Sequence, residues 1–215
     1  PTPENRRIVP CASTNFLADS MRSELNTDVA FVNAANMRKV PKLGILTERD
    51  ITETTPLKNT LMVSNMTEKE IVRVVKEAAK TSLSHTTGEP GIMHVSGLSY
   101  KATSDGDLLE MNFVDKNGNK TPIDINNPKE DKFYTVAHDT FVAEYRENME
   151  YPGMLISGHK NQNVQQFNFD KDKTAADYIK KISNKKKFEI KDDHRIKKKK
   201  KDGSIRTLNK DSTPV

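Results

Sequence analysis

The chain predicts an α+β domain with a mixed sheet, on three observations. Three segments repeat apolar residues at helical spacing, short β-like runs lie around them, and an Asn-Gly hairpin signal joins two of those runs. Helices and strands are mixed without strict alternation, which argues against a doubly wound α/β fold.

Residues 1–14 read as an extended lead-in. Leu17, Met21 and Leu25 then fall on one face, so 15–26 is the first helix. A strand over about 28–33 ends in Asn33-Ala34-Ala35-Asn36. A strand stopping in small residues leaves backbone N–H groups open and lets a ligand come close. Arg38 would add a fixed fork of donors for a carboxylate or phosphate.

A loop with Pro41 and Gly44 leads to a short helix or turn at 47–51 and a strand at 60–64. Thr67-Glu68-Lys69-Glu70 is a capping box, and Ile71, Val74, Val75 and Ala78 carry its helix to Leu83. Met93–Tyr100 reads as one strand. Leu108–Val114 and Thr121–Ile125 flank Asn117-Gly118 as a hairpin, and Phe133–Ala137 is a further strand. Thr174 caps the last helix, which turns Tyr178, Ile179 and Ile182 to one side. No internal repeat is present at the sequence level.

At 215 residues, 34% hydrophobic and 30% charged with no Trp, the chain can bury a sizeable core under a polar surface. No apolar run approaches the roughly 18 residues that span a bilayer. The chain opens on Pro1 in a polar stretch with neither an initiator Met nor a signal peptide, and so reads as a piece of a longer protein. A single cysteine, Cys11, rules out an internal disulfide and reads as a small core residue.

The formal charge of +5 divides unevenly. Residues 171–215 hold 16 Lys and Arg against 7 Asp and Glu, while 1–170 hold 19 against 23. The body is therefore mildly acidic and the end strongly basic, which speaks against a DNA- or RNA-binding body. Two regions follow: a domain over 1–183, and a lysine-rich tail or linker over 184–215 in which Ile196 is a candidate closing strand.

His138-Asp139 resembles a metal or acid–base pair, but neighbours on a strand face opposite sides. Gly158-His159 has no second His or carboxylate set to complete a two-metal centre. Neither Ser13 nor Ser99 sits in a Gly-x-Ser-x-Gly elbow. The chain alone is expected not to be a catalyst.

The order of the motifs resembles the C-terminal domain of the 5'-nucleotidase family, which includes cyclic-nucleotide phosphodiesterases and UDP-sugar hydrolases. Asn15–Met21 matches its helix, Asn33–Arg38 its Asn-Gly-Gly-x-x-Arg turn, and Gly44–Asp50 the segment that follows. Thr55-Pro56-Leu57-Lys58-Asn59 stands for its Pro-Phe-x-Asn, Thr87-Gly88 for its Ser-Gly loop, and Tyr134–Phe141 for the approach to its second aromatic. The resemblance runs, with gaps, from Arg7 to Ile182.

It implies a layered α/β/β/α domain with mixed sheets that holds nucleotide. An N-terminal metallophosphatase domain with two divalent metals, outside this chain, would perform the hydrolysis. By position, Arg38 and Arg7 would bind phosphate or ribose, Asn33 would line the turn, and Asn59 and Gly88 would face the base. Phe141 would stack it, with Leu57 as the opposite wall, and Glu147 falls where the ribose-binding Asp would be. A nucleotide or nucleoside ligand, an upstream domain in cis and an extracellular, cell-surface or periplasmic setting are implied with it.

There are departures. The Gly-Gly of the turn is Ala34-Ala35, a clamp Phe is Leu57, and the Gly-Gly-Asp loop is replaced by Glu144-Tyr145-Arg146-Glu147, with Tyr145 or Tyr151 as substitute aromatics. These leave two rivals: a degenerate member serving as a binding or adhesion module, and a basic-tailed polyanion binder.

Overall fold

Strand β1, Val29–Asn33, is buried along its whole length, and its alternating residues serve two cores. Ala30 and Val32 join Leu17, Ala18 and Met21 of helix α1, Ala12–Glu24, together with Leu61, Ala137 and Ala175. Val29 and Phe31 join the larger cluster on the opposite face. This computed structural model describes residues 8–39, 47–57, 59–84, 92–143, 165–183, 190, 194–199 and 205–206.

The remaining elements are α2 (Glu48–Thr54), β2 (Thr60–Thr67), α3 (Glu68–Ser84), β3 (Met93–Ser96), β4 (Leu98–Thr103), β5 (Leu108–Val114) and β6 (Lys120–Pro122). After these come β7 (Phe133–Asp139), α4 (Thr140–Ala143), β8 (Gln165–Asp170), α5 (Lys171–Ser183), β9 (Ile196–Lys199) and β10 (Ile205–Arg206). The strands form two five-stranded sheets, ordered β3-β1-β7-β2-β8 and β10-β9-β4-β5-β6. Both are mixed: β1 runs parallel to β7 and β4 parallel to β9, and the other neighbours are antiparallel.

Helices α1 and α5 pack together on one face of the first sheet. Its other face shares a core with Ile71, Val74, Val75 and Ala78 of α3 and with Leu98, Tyr100, Met111 and Ile196 of the second sheet. Tyr100 ties the two sheets by donating its hydroxyl to Met93 O at 2.5 Å.

The Thr67/Glu70 capping box forms as the sequence predicts, Thr67 N–H on Glu70 Oε2 at 2.7 Å and Glu70 N–H on Thr67 Oγ1 at 3.2 Å. Thr47 and Asp50 build a second one at the start of α2. The hairpin turns at Gly118, φ +84°, with the Asp115 carboxylate holding the Asn117 and Asn119 N–H groups.

The sequence reading is corrected at three points. The predicted strand Met93–Tyr100 breaks at Gly97, φ +75°, where the chain leaves one sheet for the other. A Cβ there would stand 2.1 Å from Asp28 O. The last helix starts at Lys171, straight out of β8, so Thr174 lies inside it and donates to Asp170 O. Strand β8 itself has no counterpart in the sequence reading.

The candidate closing strand at Ile196 is present, and folded structure continues past Ser183. Strand β9 pairs with β4, and Arg195 grips both oxygens of Asp19 on α1, at 2.6 and 2.9 Å, and Val95 O at 2.9 Å.

Candidate functional site

The C-terminal end of β1 runs into the 3-10 turn Ala34–Asn36. The sequence predicts open backbone N–H groups in this turn, but Ala34 N–H donates to Ile92 O at 3.1 Å and Met37 N–H to Ala34 O at 3.3 Å. Ala34 is buried, its methyl part of the core. Two of the turn's N–H groups are therefore spent within the fold.

A buried polar chain lies behind it. Lys171, the first residue of α5, forms an ion pair with Asp139 at the end of β7, 2.8 Å apart, with 1% and 2% of the two side chains exposed. Lys171 also donates to Asn36 Oδ1, and Asn36 Nδ2 donates to Asn33 Oδ1. On the far side Asn59 Nδ2 donates to Asp139 Oδ2 at 3.1 Å, and Val142 N–H to Asp139 Oδ1 at 3.0 Å. The Asn33 turn, Asn59, the end of β7 and the start of α5 are thus joined through one carboxylate and one ammonium.

Burial alone would raise the Asp139 pKa. The Lys171 ammonium, the Val142 N–H and the Asn59 amide outweigh it, and the carboxyl is held below the usual carboxylate range. His138 points away from this cluster, as the strand period requires, with Nε2 2.7 Å from Ser64 Oγ. Burial lowers its pKa, so it stands neutral. A charge buried this deeply is costly unless fully partnered. These partners fix the positions of Asn33, Asn36 and Asn59, so the network positions the turn.

The predicted site residues distribute as follows. Asn33 and Asn59 are joined through the Asn36, Lys171 and Asp139 chain. Arg38 is exposed just beyond the turn, and its backbone N–H donates to Thr54 O at 2.8 Å. Leu57 is half-buried two residues before Asn59, whose N–H donates to Leu57 O. Phe141, on α4 two residues after Asp139, is half-buried against the larger core. Arg7, Gly88 and Glu147 lie outside the described residues, as do Tyr145, Tyr151 and His159.

Lys171 and Asn36 are residues that the sequence does not single out as part of a site, and Asp139 is read there only beside His138. A lysine at a helix start among acidic and polar neighbours reads as surface, and only the tertiary contacts reveal otherwise. Beside this turn a small apolar cavity is lined by Phe16, Leu17, Met37, Ile51, Ala175 and Ile179 among others. Among the described residues no group of three or more His, Cys, Asp or Glu side chains is placed to hold a metal.

The family described as 5'-nucleotidase, C-terminal domain, matches residues 2–153. The 5'-nucleotidase precursor from Thermus thermophilus is 22% identical with a TM-score of 0.69, over 87% of this chain and 35% of that one. The NAD nucleotidase of Haemophilus influenzae is 22% identical with a TM-score of 0.70, over 93% and 36%. A putative 5'-nucleotidase from Staphylococcus aureus, solved in complex with alpha-ketoglutarate, is 16% identical with a TM-score of 0.60, over 91% and 38%. At these identities the likeness is one of fold, and the chain spans little more than a third of each. Among curated proteins no sequence matches.

Proposed function

The chain belongs to the 5'-nucleotidase C-terminal domain family, and from that premise we propose that it is the substrate-specificity domain of a 5'-nucleotidase-like metallophosphoesterase. In this reading it binds a nucleotide and presents the phosphate ester to an upstream domain holding two divalent metals. Such a domain contributes to rate by positioning, through effective molarity. An extracytoplasmic setting accompanies the proposal. No helix among the described residues is long and apolar enough to cross a membrane.

The observation that carries the reading is the buried chain linking Asn33 to Asn59 through Lys171 and Asp139. It fixes two family-matched ligand residues, 26 positions apart in the numbering, beside an exposed Arg38. In this reading Arg38 meets the anionic phosphate or ribose and Phe141 stacks the base.

A second reading, a family member kept as a binding module without hydrolysis, is favoured by one specific observation. The turn's glycines are replaced by Ala34 and Ala35, and the Ala34 N–H is spent on Ile92 O. Steady-state hydrolysis by the full-length protein of 5'-nucleotides, cyclic nucleotides and nucleotide sugars with added Mn²⁺ separates the two. Turnover reduced by Arg38→Ala supports the first reading, and binding without turnover supports the second.

A further inference from the structure

At the opposite end of β1 the chemistry is different. Helix α1 closes in a Schellman turn, Thr27 N–H on Arg22 O at 3.2 Å, with Asn26 left-handed at φ 48°. That closure brings the last turn of α1, the hairpin loop after β5 and the exposed side of α5 around a cavity of about 440 Å³. Arg22, Lys116 and Lys181 line it together with the Asp19 carboxylate, Ser23 and Tyr178.

Three cations face one carboxylate in the lining, Asp19. Arg22 is half-buried, yet among the described residues its guanidinium makes one hydrogen bond, from Nη2 to Val114 O at 3.3 Å. A guanidinium carries five N–H donors, so most of them are not spent on the described residues. Lys181 has no ion-pair partner among the described residues, and Lys116 reaches only the neutral Asn26 amide at 2.9 Å.

The carboxylates near Arg22 each have other partners as well. Asp19 is held by Arg195 and by Ser96 at 2.7 Å, Asp28 by the Thr135 N–H and hydroxyl, and Asp115 by its own hairpin. Burial lowers the Arg22 pKa, while Asp19 and Asp28 act against that.

We propose that Arg22, Lys116 and Lys181 form a second anion-binding site, one that takes a phosphate monoester of small-metabolite size. Three cations suit a dianion better than a single carboxylate. The Arg22 fork supplies paired donors, and the two lysines supply mobile point charges. The cavity lies at the start of β1 and the Asn33 turn at its end, about 17 Å away at 3.3 Å per strand residue. The two sites are therefore separable by mutation.

The test is a titration of the full chain with inorganic phosphate at low ionic strength, following backbone amide shifts by NMR, with malonate in parallel. Saturable shifts are expected at Arg22, Asn26, Lys116 and Lys181, with malonate binding more weakly. Lys116→Gln/Lys181→Gln, both surface changes that leave the fold alone, should weaken phosphate at these amides about tenfold, equivalent to about 1.4 kcal/mol. Arg22→Gln should abolish it if the variant folds. Non-saturating shifts, or equal affinity in the double lysine variant, would overturn the site. Tighter malonate than phosphate would overturn the choice of ligand.

Discussion

At the C-terminal end of β1, a lysine and an aspartate with almost no exposed surface satisfy each other and draw in three asparagines. At its N-terminal end, three cations line a cavity with a single carboxylate, Asp19, which Arg195 already grips. The first arrangement spends its polar groups on shape, joining the Asn33 turn to Asn59. The second leaves donors unspent. Burial separates them, because a buried charge must be paired inside the protein, whereas a surface cavity can leave that pairing to a ligand.

The largest test of this contrast removes everything after Ser183. The chain then loses Ile196 from the core and the Arg195 grip on Asp19. A buried isoleucine is worth about 2–5 kcal/mol and a charge-assisted hydrogen bond about 1.5–3 kcal/mol. Urea unfolding should therefore show a loss of about 5 kcal/mol or more. Phosphate shifts near Arg22 should also shrink, because the freed Asp19 carboxylate can neutralise it. A truncated chain as stable as the parent would mean that β9 adds nothing to the fold.

Next comes Lys171→Met. It strands Asp139 as an unpaired buried charge and should cost about 3–5 kcal/mol in chemical denaturation. Adding Asp139→Asn should recover a substantial part, because the stranded charge disappears. If the single variant unfolds like the parent, the network is not holding the turn.

The same pair gives a pH signature. The native Asp139 pKa lies below the ordinary value of 3.8, so the unfolded chain binds the proton more readily. Its stabilising contribution is complete above about pH 5 and is lost as pH falls through the depressed native value. The stability difference between the parent and Asp139→Asn should therefore be flat from about pH 5 to 8 and shrink below about pH 4. A difference that grows as the pH falls would reverse the sign and remove the pairing argument.

Gly97→Ala is a smaller perturbation at the other end. The left-handed backbone costs a non-glycine residue about 1–3 kcal/mol, and the new methyl meets Asp28 O at 2.1 Å and the Arg22 guanidinium at 3.1 Å. Calorimetry should show a lowered Tm, with displaced amide signals around Arg22 and little change at Asn59.

How far the sequence alone reveals the fold and the site depends on the kind of force involved. Local chemistry is readable: the Thr67/Glu70 box, the apolar face of α3 and the Asn117-Gly118 hairpin are specified by neighbours within a few residues. Gly97 escapes notice because the residues around it alternate well enough to read as one strand. Only its positive φ reveals the switch of sheets, and a glycine inside a strand is the available warning. Strand β9 has a single core residue, Ile196, legible only as a candidate closing strand among lysines whose pattern otherwise reads as solvated. The Asp139–Lys171 pair leaves no trace in sequence, since lysines are almost never fully buried and nothing local marks an exception. The site is legible as a set of family-matched positions, while the network behind two of them is not.

The measurement that bears most directly on the proposed function is calorimetric binding of AMP and adenosine to the chain and to two variants. Arg38→Ala should weaken AMP more than adenosine, because its partner is the anionic phosphate. Phe141→Ala should weaken both by the value of one stacked base, about 1–3 kcal/mol. Binding of neither ligand, or binding of both unchanged by Arg38→Ala and Phe141→Ala, would contradict the nucleotide-positioning role.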